Sequence, residues 1–149
     1  MPAFRAADVE RETGEHPRLG SYEALVFSEA GGLTQFGAAV ETLPPGAASS
    51  DRHWHEAEDE FAYVLDGALT LVEDGGETPL HPGDAACWKA GAQVGHHLVN
   101  RSDRPATFLI VGTRAANDRV HYSELDQLVT KRDGRKTVTR RDGTPVEGA

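Results

Sequence analysis

The sequence contains a single cysteine, Cys87, and no long apolar run. One cysteine cannot form an intrachain disulfide, so the chain suits a reducing compartment. The strongest apolar run, Phe108–Val111, is far too short to span a bilayer. The N-terminus, MPAFRAADVERE, has charges where a signal peptide requires an apolar stretch. We therefore expect a soluble, cytoplasmic protein with no membrane partner.

Positive charge is also scarce. The chain has 15 Lys and Arg against 24 Asp and Glu, which gives a formal net charge of −9. A surface that binds nucleic acid needs a basic field, so no nucleic-acid partner is expected. Residues 131–141, KRDGRKTVTRR, are a local exception. They can be interpreted as an anion-binding patch, but no aromatic side chain accompanies them, and a solvated C-terminal hairpin is the preferred interpretation.

Glycine and proline, in contrast, are abundant and divide the chain into short apolar segments. Sixteen Gly and eight Pro predict frequent turns. No helical period of useful length separates the segments, so a parallel α/β sheet is not expected. The segments predict about nine strands, over residues 22–28, 34–43, 52–55, 61–65, 68–73, 78–81, 85–89, 96–99 and 106–112.

These segments define one all-β domain over residues 21–115, as a sandwich or barrel. Residues 1–20 are polar and without a clear period, and we predict an N-terminal arm. Residues 116–149 are predicted to form a C-terminal extension with a short helix over Ser123–Val129. Within the domain, Asp66-Gly67 predicts a two-residue hairpin turn, because glycine readily takes a positive φ.

Histidines cluster in two places. His53 and His55 flank Trp54, and on a strand they project to the same face. Glu60 lies at the start of the next predicted strand, and its side chain can point toward the two histidines. Of the adjacent pair at residues 96 and 97, only one histidine can face inward. Three imidazoles and a carboxylate suit iron, manganese, cobalt, nickel or zinc and not calcium, so the residues predict one divalent transition metal.

Two segments resemble the conserved motifs of the cupin superfamily. Gly46–Gly67 is similar to the first motif, in which Gly, His-x-His, Glu and Gly recur at fixed spacing. Gly83–Asn100 is similar to the second, although Lys89 stands where proline is usual and four residues, not two, separate Gly91 from His96. The resemblance covers about 55 residues and is to small single-domain bacterial cupins.

The resemblance implies a double-stranded β-helix, or jelly roll, over the predicted barrel. It also implies that His53, His55, Glu60 and His96 bind the metal, since the spacing to Asn100 selects His96 over His97. Asn100 itself is implied to be structural. Cupins of this size commonly form homodimers, often by exchanging N-terminal strands, so residues 1–20 are expected to contact a partner subunit.

Other residues receive weaker expectations. No further carboxylate is clearly inward, so the sequence offers no general base. His97 is expected to point away from the metal, and Tyr63 away from the pocket. Three histidines are expected at the surface: His16, His81 and His121. The remaining expectations are packing roles for Trp54 and Trp88, burial of Cys87 as a small hydrophobe, and a pocket-lining role for Gln35 or Phe36.

Three functions fit this chain, all with a small molecule as the partner. The metal can support a dioxygenase, with substrate and dioxygen in the open coordination positions. It can instead act as a Lewis acid in an isomerase or lyase. The alternative is a non-catalytic barrel that binds or senses a small ligand. Fold alone does not choose between them.

Overall fold

The computed structural model describes residues 3–149. Within that range the chain forms thirteen β-strands and one short α-helix, α1 (Phe27–Ala30). The strands are β1 (Arg11–His16), β2 (Gly20–Val26), β3 (Phe36–Leu43), β4 (His53–His55), β5 (Glu60–Asp66), β6 (Leu69–Glu73), β7 (Gly76–Leu80), β8 (Ala85–Trp88), β9 (His96–Val99), β10 (Ala106–Thr113), β11 (Asp118–Tyr122), β12 (Leu128–Arg132) and β13 (Arg135–Thr139).

The strands assemble into two antiparallel sheets. The six-stranded sheet has the order β1-β2-β3-β10-β5-β8, and the seven-stranded sheet has the order β13-β12-β11-β4-β9-β6-β7. The nine predicted strands correspond to β2 through β10, with ends that differ by at most two residues. The expected all-β jelly roll is therefore confirmed.

The core lies between the two sheets. On β10, Ala106 and Phe108 alternate inward and are almost completely buried. Their partners across the ladder on β3 are Leu43 and Glu41. Burying a side chain such as Phe108 stabilises the fold by about 1.5–3 kcal/mol. The other large buried side chains of this core include Val64, Leu69, Leu80 and Leu98.

The predicted helix over Ser123–Val129 is wrong. Residues 123–126 form bends, and Leu128 and Val129 belong to β12, where they pair with His121 and Val120 of β11. Because the backbone of Leu128 and Val129 is committed to the ladder with β11, it cannot close a helical turn, and Arg141 donates to the carbonyl of Tyr122 at 2.6 Å beside the bends. The C-terminal hairpin is present as β12 and β13.

The turn at Asp66-Gly67 is not a hairpin. β5 pairs with β8 and β10, whereas β6 pairs with β7 and β9 in the opposite sheet. Gly67 has a φ of +76°, and an added Cβ would lie 2.7 Å from the carbonyl oxygen of Pro105. The chain thus uses Gly67 to cross from one sheet to the other against a closely packed backbone.

Both terminal segments extend the sheets. β1 lies in the predicted arm and pairs with β2 of the same chain. β11, in the predicted extension, lies beside β4. No helix in residues 3–149 has the length and apolar character to cross a membrane. The extra strands place the segment after residue 115 directly against the strand that carries His53 and His55.

Candidate metal centre

Neighbouring strands of the seven-stranded sheet bring the histidines together. β4 consists of His53, Trp54 and His55, so the two imidazoles share one face. β9 lies beside β4, with His53 and His96 in register. Glu60 is the first residue of β5 in the opposite sheet, and its side chain enters the space between the sheets.

The three Nε2 atoms converge on the carboxylate of Glu60. His96 Nε2 lies 2.5 Å from Oε2, while His55 Nε2 and His53 Nε2 lie 3.5 Å and 3.7 Å from Oε1. The candidate ligand atoms of His53, Glu60 and His96 all lie within 4.8 Å of one another. Glu60 thus faces all three imidazoles, and His55 also belongs to a second group of candidate ligands with Glu58 and Asp118.

Each imidazole is also held through its other nitrogen. Nδ1 of His53 donates to the carbonyl of Asp51 at 2.8 Å, and Nδ1 of His96 donates to the carbonyl of Val94 at 3.1 Å. A carbonyl can only accept, so a hydrogen is held on Nδ1: a protonated ring donates its Nε2 hydrogen to Glu60, and a neutral ring presents its Nε2 lone pair at the same place. The neutral form is the tautomer that a metal ion needs, and the donor set fits a divalent transition metal.

Electrostatics at Glu60 agree with a site built for positive charge. Burial opposes ionisation, but hydrogen bonds from the three histidines hold the pKa of the Glu60 carboxyl well below its usual range. For His55, burial favours the neutral ring, but the carboxylates of Glu60 and Asp118 outweigh it and raise the pKa to about 9. The cluster therefore favours a cation at its centre.

Trp88 closes one side of the cluster. Its indole stacks on the ring of His96, with centroids 3.9 Å apart and an interplanar angle of 6°. The indole nitrogen donates to Glu73 at 3.3 Å. Trp88 is buried in the barrel, as the predicted packing role requires.

A cavity of about 180 Å³ opens beside the cluster. That is near the volume of roughly six waters of the bulk liquid. Its wall includes His53, Glu60 and His96 from the cluster, together with a further carboxylate, Glu41. The remaining wall residues are Ser49, Ser50, Trp88, His97, Leu98, Phe108 and Ile110.

Glu41 is the inward carboxylate that the sequence reasoning missed. Burial, and secondarily the charge of Glu12, raise the pKa of Glu41 to about 7. Glu41 shares the inner face of β3 with Ala39 and Leu43, both buried. A period-two count along β3 would have shown a carboxylate among apolar inward positions.

Asp118 was missed as well. Its carboxylate, with a side chain only 1% exposed, lies 2.6 Å from Nδ1 of His55. Asp118 stands on β11, and β11 meets β4 only through long-range pairing. The alternating residues Asp118, Val120 and Tyr122 are a weak strand signal that would have placed it on the face of His55.

Several lesser expectations are settled by the side-chain positions. Asn100 is fully buried, and its amide donates to the carbonyls of Leu43 and Arg104, which is a structural role. Tyr63 is exposed on the far side of the sheet, as expected. Cys87, expected to be buried, is exposed. Gln35 and Phe36 are both exposed and do not belong to the cavity wall.

The expectations for the other histidines are also met in some cases and not in others. His16 and His81 are exposed, as expected, but His121 is half-buried and stacks on Trp54 with centroids 4.1 Å apart. His97 borders the cavity while its Nδ1 donates to the carbonyl of Ser50 at 2.7 Å. Burial lowers the pKa of His97, so it is a neutral ring beside the cluster and not part of it.

Comparison with known proteins agrees with this architecture. The family model described as Cupin domain matches residues 39–112. A sugar phosphate isomerase of the cupin superfamily from Silicibacter pomeroyi is 43% identical, with 99% of this chain and 98% of that chain covered and a TM-score of 0.89. A predicted oxalate decarboxylase from Thermotoga maritima is 26% identical, with 76% and 99% covered and a TM-score of 0.65.

A structure from Acidithiobacillus ferrooxidans shares the fold, with a TM-score of 0.85 at 22% identity over 99% of this chain and 97% of that chain. No curated protein matches the chain significantly. The match of the family model to the residues around the cluster, and the full-length similarity to a cupin at 43% identity, agree with the two-sheet barrel. The chain therefore belongs to the cupin superfamily.

Proposed function

We propose that the protein is a metal-dependent isomerase that moves a proton between adjacent carbons of a small hydroxy-carbonyl compound. The observation that carries this proposal is Glu41, a carboxyl group with a pKa near 7 in the wall of the cavity beside the histidine cluster. A group that exchanges protons near neutral pH is what such a reaction requires.

The metal ligands in this proposal are His53, His55, Glu60 and His96. The three Nε2 atoms lie 2.5–3.7 Å from the Glu60 carboxylate, and for His53 and His96 the Nδ1 hydrogen bonds favour the neutral tautomer that exposes Nε2. A bound divalent ion would supply Lewis-acid polarisation of the substrate carbonyl. The same ion would also bind oxygens of the substrate.

Glu41 supplies the proton transfer. Its carboxylate takes the proton from the carbon beside the carbonyl, and the electron pair of the broken C–H bond moves toward the carbonyl oxygen. The same carboxyl group then returns the proton to the neighbouring carbon, while one hydroxyl proton moves between the two oxygens. The reaction consumes no co-reactant, and Glu41 ends as it began.

Two further observations support an isomerase over the other functions considered. The relative from Silicibacter pomeroyi that matches almost the whole chain carries the name sugar phosphate isomerase. A proton carrier is essential to isomerisation but has no required place in a dioxygenase or in a barrel that only binds its ligand. The cavity of about 180 Å³ beside the cluster has room for a short carbon chain.

The test combines metal analysis with turnover in deuterium oxide. Protein purified without a His-tag or chelator is assayed for metal, then incubated with a panel of short aldoses, each with and without a terminal phosphate. NMR detects both the ketose and deuterium at the exchanged carbon. We expect near-stoichiometric metal, and a loss of roughly 100-fold or more in rate for Glu41→Gln.

Glu15→Gln is the matched control, because Glu15 is an exposed glutamate on β1. It should retain the wild-type rate. Wild-type protein that binds metal and a sugar but forms no ketose and incorporates no deuterium would contradict the isomerase and favour the non-catalytic alternative. Equal rates for wild type and Glu41→Gln would remove Glu41 from the reaction.

A further inference from the structure

The carboxylate of Asp118 contacts the candidate metal centre from outside the matched family domain. That domain ends at residue 112, whereas Asp118 begins β11. The register of β11 on β4 pairs Val120 with His55 and Tyr122 with His53. Asp118 continues the same face of the strand, and this places it behind His55.

Both oxygens of Asp118 accept hydrogen bonds. Oδ1 accepts the backbone N–H of Ala57 at 2.8 Å, and Oδ2 lies 2.6 Å from Nδ1 of His55. The carboxylate is nearly inaccessible to solvent. Because an ionised carboxylate can only accept, the hydrogen of a neutral His55 is held on Nδ1, and its lone pair is left on Nε2 toward Glu60.

A second carboxylate faces the same nitrogen but is otherwise engaged. Glu58 Oε2 lies 3.4 Å from Nδ1 of His55. Its Oε1 forms an ion pair with Lys131 and accepts the N–H of Ala115 at 3.0 Å. Lys131 pairs in register with Asp118 across β11 and β12. Lys131, on the C-terminal hairpin, therefore neutralises the charge of Glu58, and Asp118 is left as the hydrogen-bond partner of His55.

We propose that Asp118 is a positioning residue of the metal centre, which holds His55 in the tautomer and orientation needed to bind a divalent ion. The strands after residue 115 are then part of the metal site. This inference rests on the metal site of the proposed function and does not depend on the reaction. Such partners of ligating histidines typically change metal affinity by about 10- to 100-fold when they are replaced.

Asp118→Asn tests the geometry with little change in volume. An amide has one accepting oxygen. If that oxygen still accepts the hydrogen bond from the N–H of Ala57, the NH₂ group faces His55. Nδ1 can then accept a hydrogen bond from the NH₂ group only if it carries no hydrogen of its own. The hydrogen then sits on Nε2, where it blocks the metal. If the amide turns over, two donors face each other at Ala57.

The measurement is the Kd for Zn²⁺ and for Mn²⁺ of the full-length protein, by competition with a chromophoric chelator. Asp133→Asn, in the exposed turn of the C-terminal hairpin, is the control. We expect roughly 10- to 100-fold weaker binding for Asp118→Asn and no change for Asp133→Asn. A Kd within about twofold of wild type for Asp118→Asn, or no metal bound by wild type, would overturn the proposal.

NMR of ¹⁵N-histidine in the zinc-loaded wild type provides a readout that does not depend on how well the variant folds. His55 should show a hydrogen on Nδ1 and zinc on Nε2, and zinc on Nδ1 would overturn the proposal. Where the variant is folded, its His55 signals should change while those of His53 and His96 stay. Metal binding without turnover would contradict the isomerase and leave the role of Asp118 standing.

Discussion

At the scale of single residues, the adjacent histidines at positions 96 and 97 offer the sharpest contrast. His96 is almost completely buried, with Nε2 at 2.5 Å from Glu60, whereas Nδ1 of His97 bonds to the carbonyl of Ser50. We predict that His96→Ala loses most of the bound metal and that His97→Ala keeps it. Elemental analysis of the two purified variants decides this, and equal loss from both would show that the ligand assignment is wrong.

Glu41 carries a stability cost that depends on pH. Its pKa is raised from 4.5 to about 7 in the folded protein, so between these values the folded state holds more protons than the unfolded state. Stability must therefore fall as the pH rises through this window, and the loss is complete above it.

We predict that Glu41→Gln, which cannot ionise, gains stability over wild type as the pH rises from 5 to 8, by no more than about 3 kcal/mol. Urea unfolding of the metal-free proteins measures this, because a bound cation would itself favour the ionised carboxyl. The two proteins should be close at pH 5. A difference that is constant with pH would contradict the raised pKa.

At the scale of elements, the crossing between β5 and β6 depends on Gly67. An alanine there would combine a positive φ with a Cβ at 2.7 Å from the Pro105 carbonyl and 2.8 Å from Cα of Ala106, both backbone atoms. We predict that Gly67→Ala lowers the free energy of unfolding by roughly 2–5 kcal/mol.

Alanine substitutions at two other glycines separate the cost of the positive φ at Gly67 from the cost of crowding around an added Cβ. Gly32 has a φ of +65° with nothing within 4 Å, so Gly32→Ala should show only the backbone cost, about 1 kcal/mol. Gly75 has neither constraint, and Gly75→Ala should be close to neutral. Urea unfolding compares all three, and equal effects at Gly67 and Gly32 would show that crowding at the crossing is unimportant.

The elements also show which features a sequence reveals. β2 through β10 were predicted because their apolar residues alternate between turn signals, and the His-x-His pair on β4 needs only the period of a strand. β1 and β13 are polar edge strands with one paired side, so their sequences carry little apolar pattern. The period of β3 is enough to mark Glu41 as inward, whereas Asp118 reaches the site through the pairing of β11 with β4, which is distant in sequence and which strand spacing alone cannot reveal.

At the scale of the whole molecule, the candidate metal centre lies between the two sheets. His53, His55 and His96 belong to the seven-stranded sheet and Glu60 to the six-stranded sheet. A metal bound by all four would tie the sheets together in the folded state only. The homodimer expected from the resemblance stays a prediction, which light scattering of the full-length chain would test.

We predict that loading the metal raises the midpoint of thermal unfolding. At a free metal concentration of 1,000 Kd the folded state gains about 4 kcal/mol, which for a chain of this size corresponds to a rise of roughly 8–16 °C. Calorimetry with Zn²⁺ or Mn²⁺ and after chelation measures the shift. His53→Ala should abolish it, and an unchanged midpoint in the wild type would contradict the bridging role.

The two stacked pairs of tryptophan and histidine give the molecule an optical signal of its own. Trp88 lies flat on His96 at the cluster, while Trp54 lies on His121. Because the indole of Trp88 stacks on the ring of His96, a metal that binds His96 should change the emission of Trp88. Trp54→Phe should preserve that change and Trp88→Phe abolish it. Metal entry could then be followed in real time, without a label and in the unmodified chain.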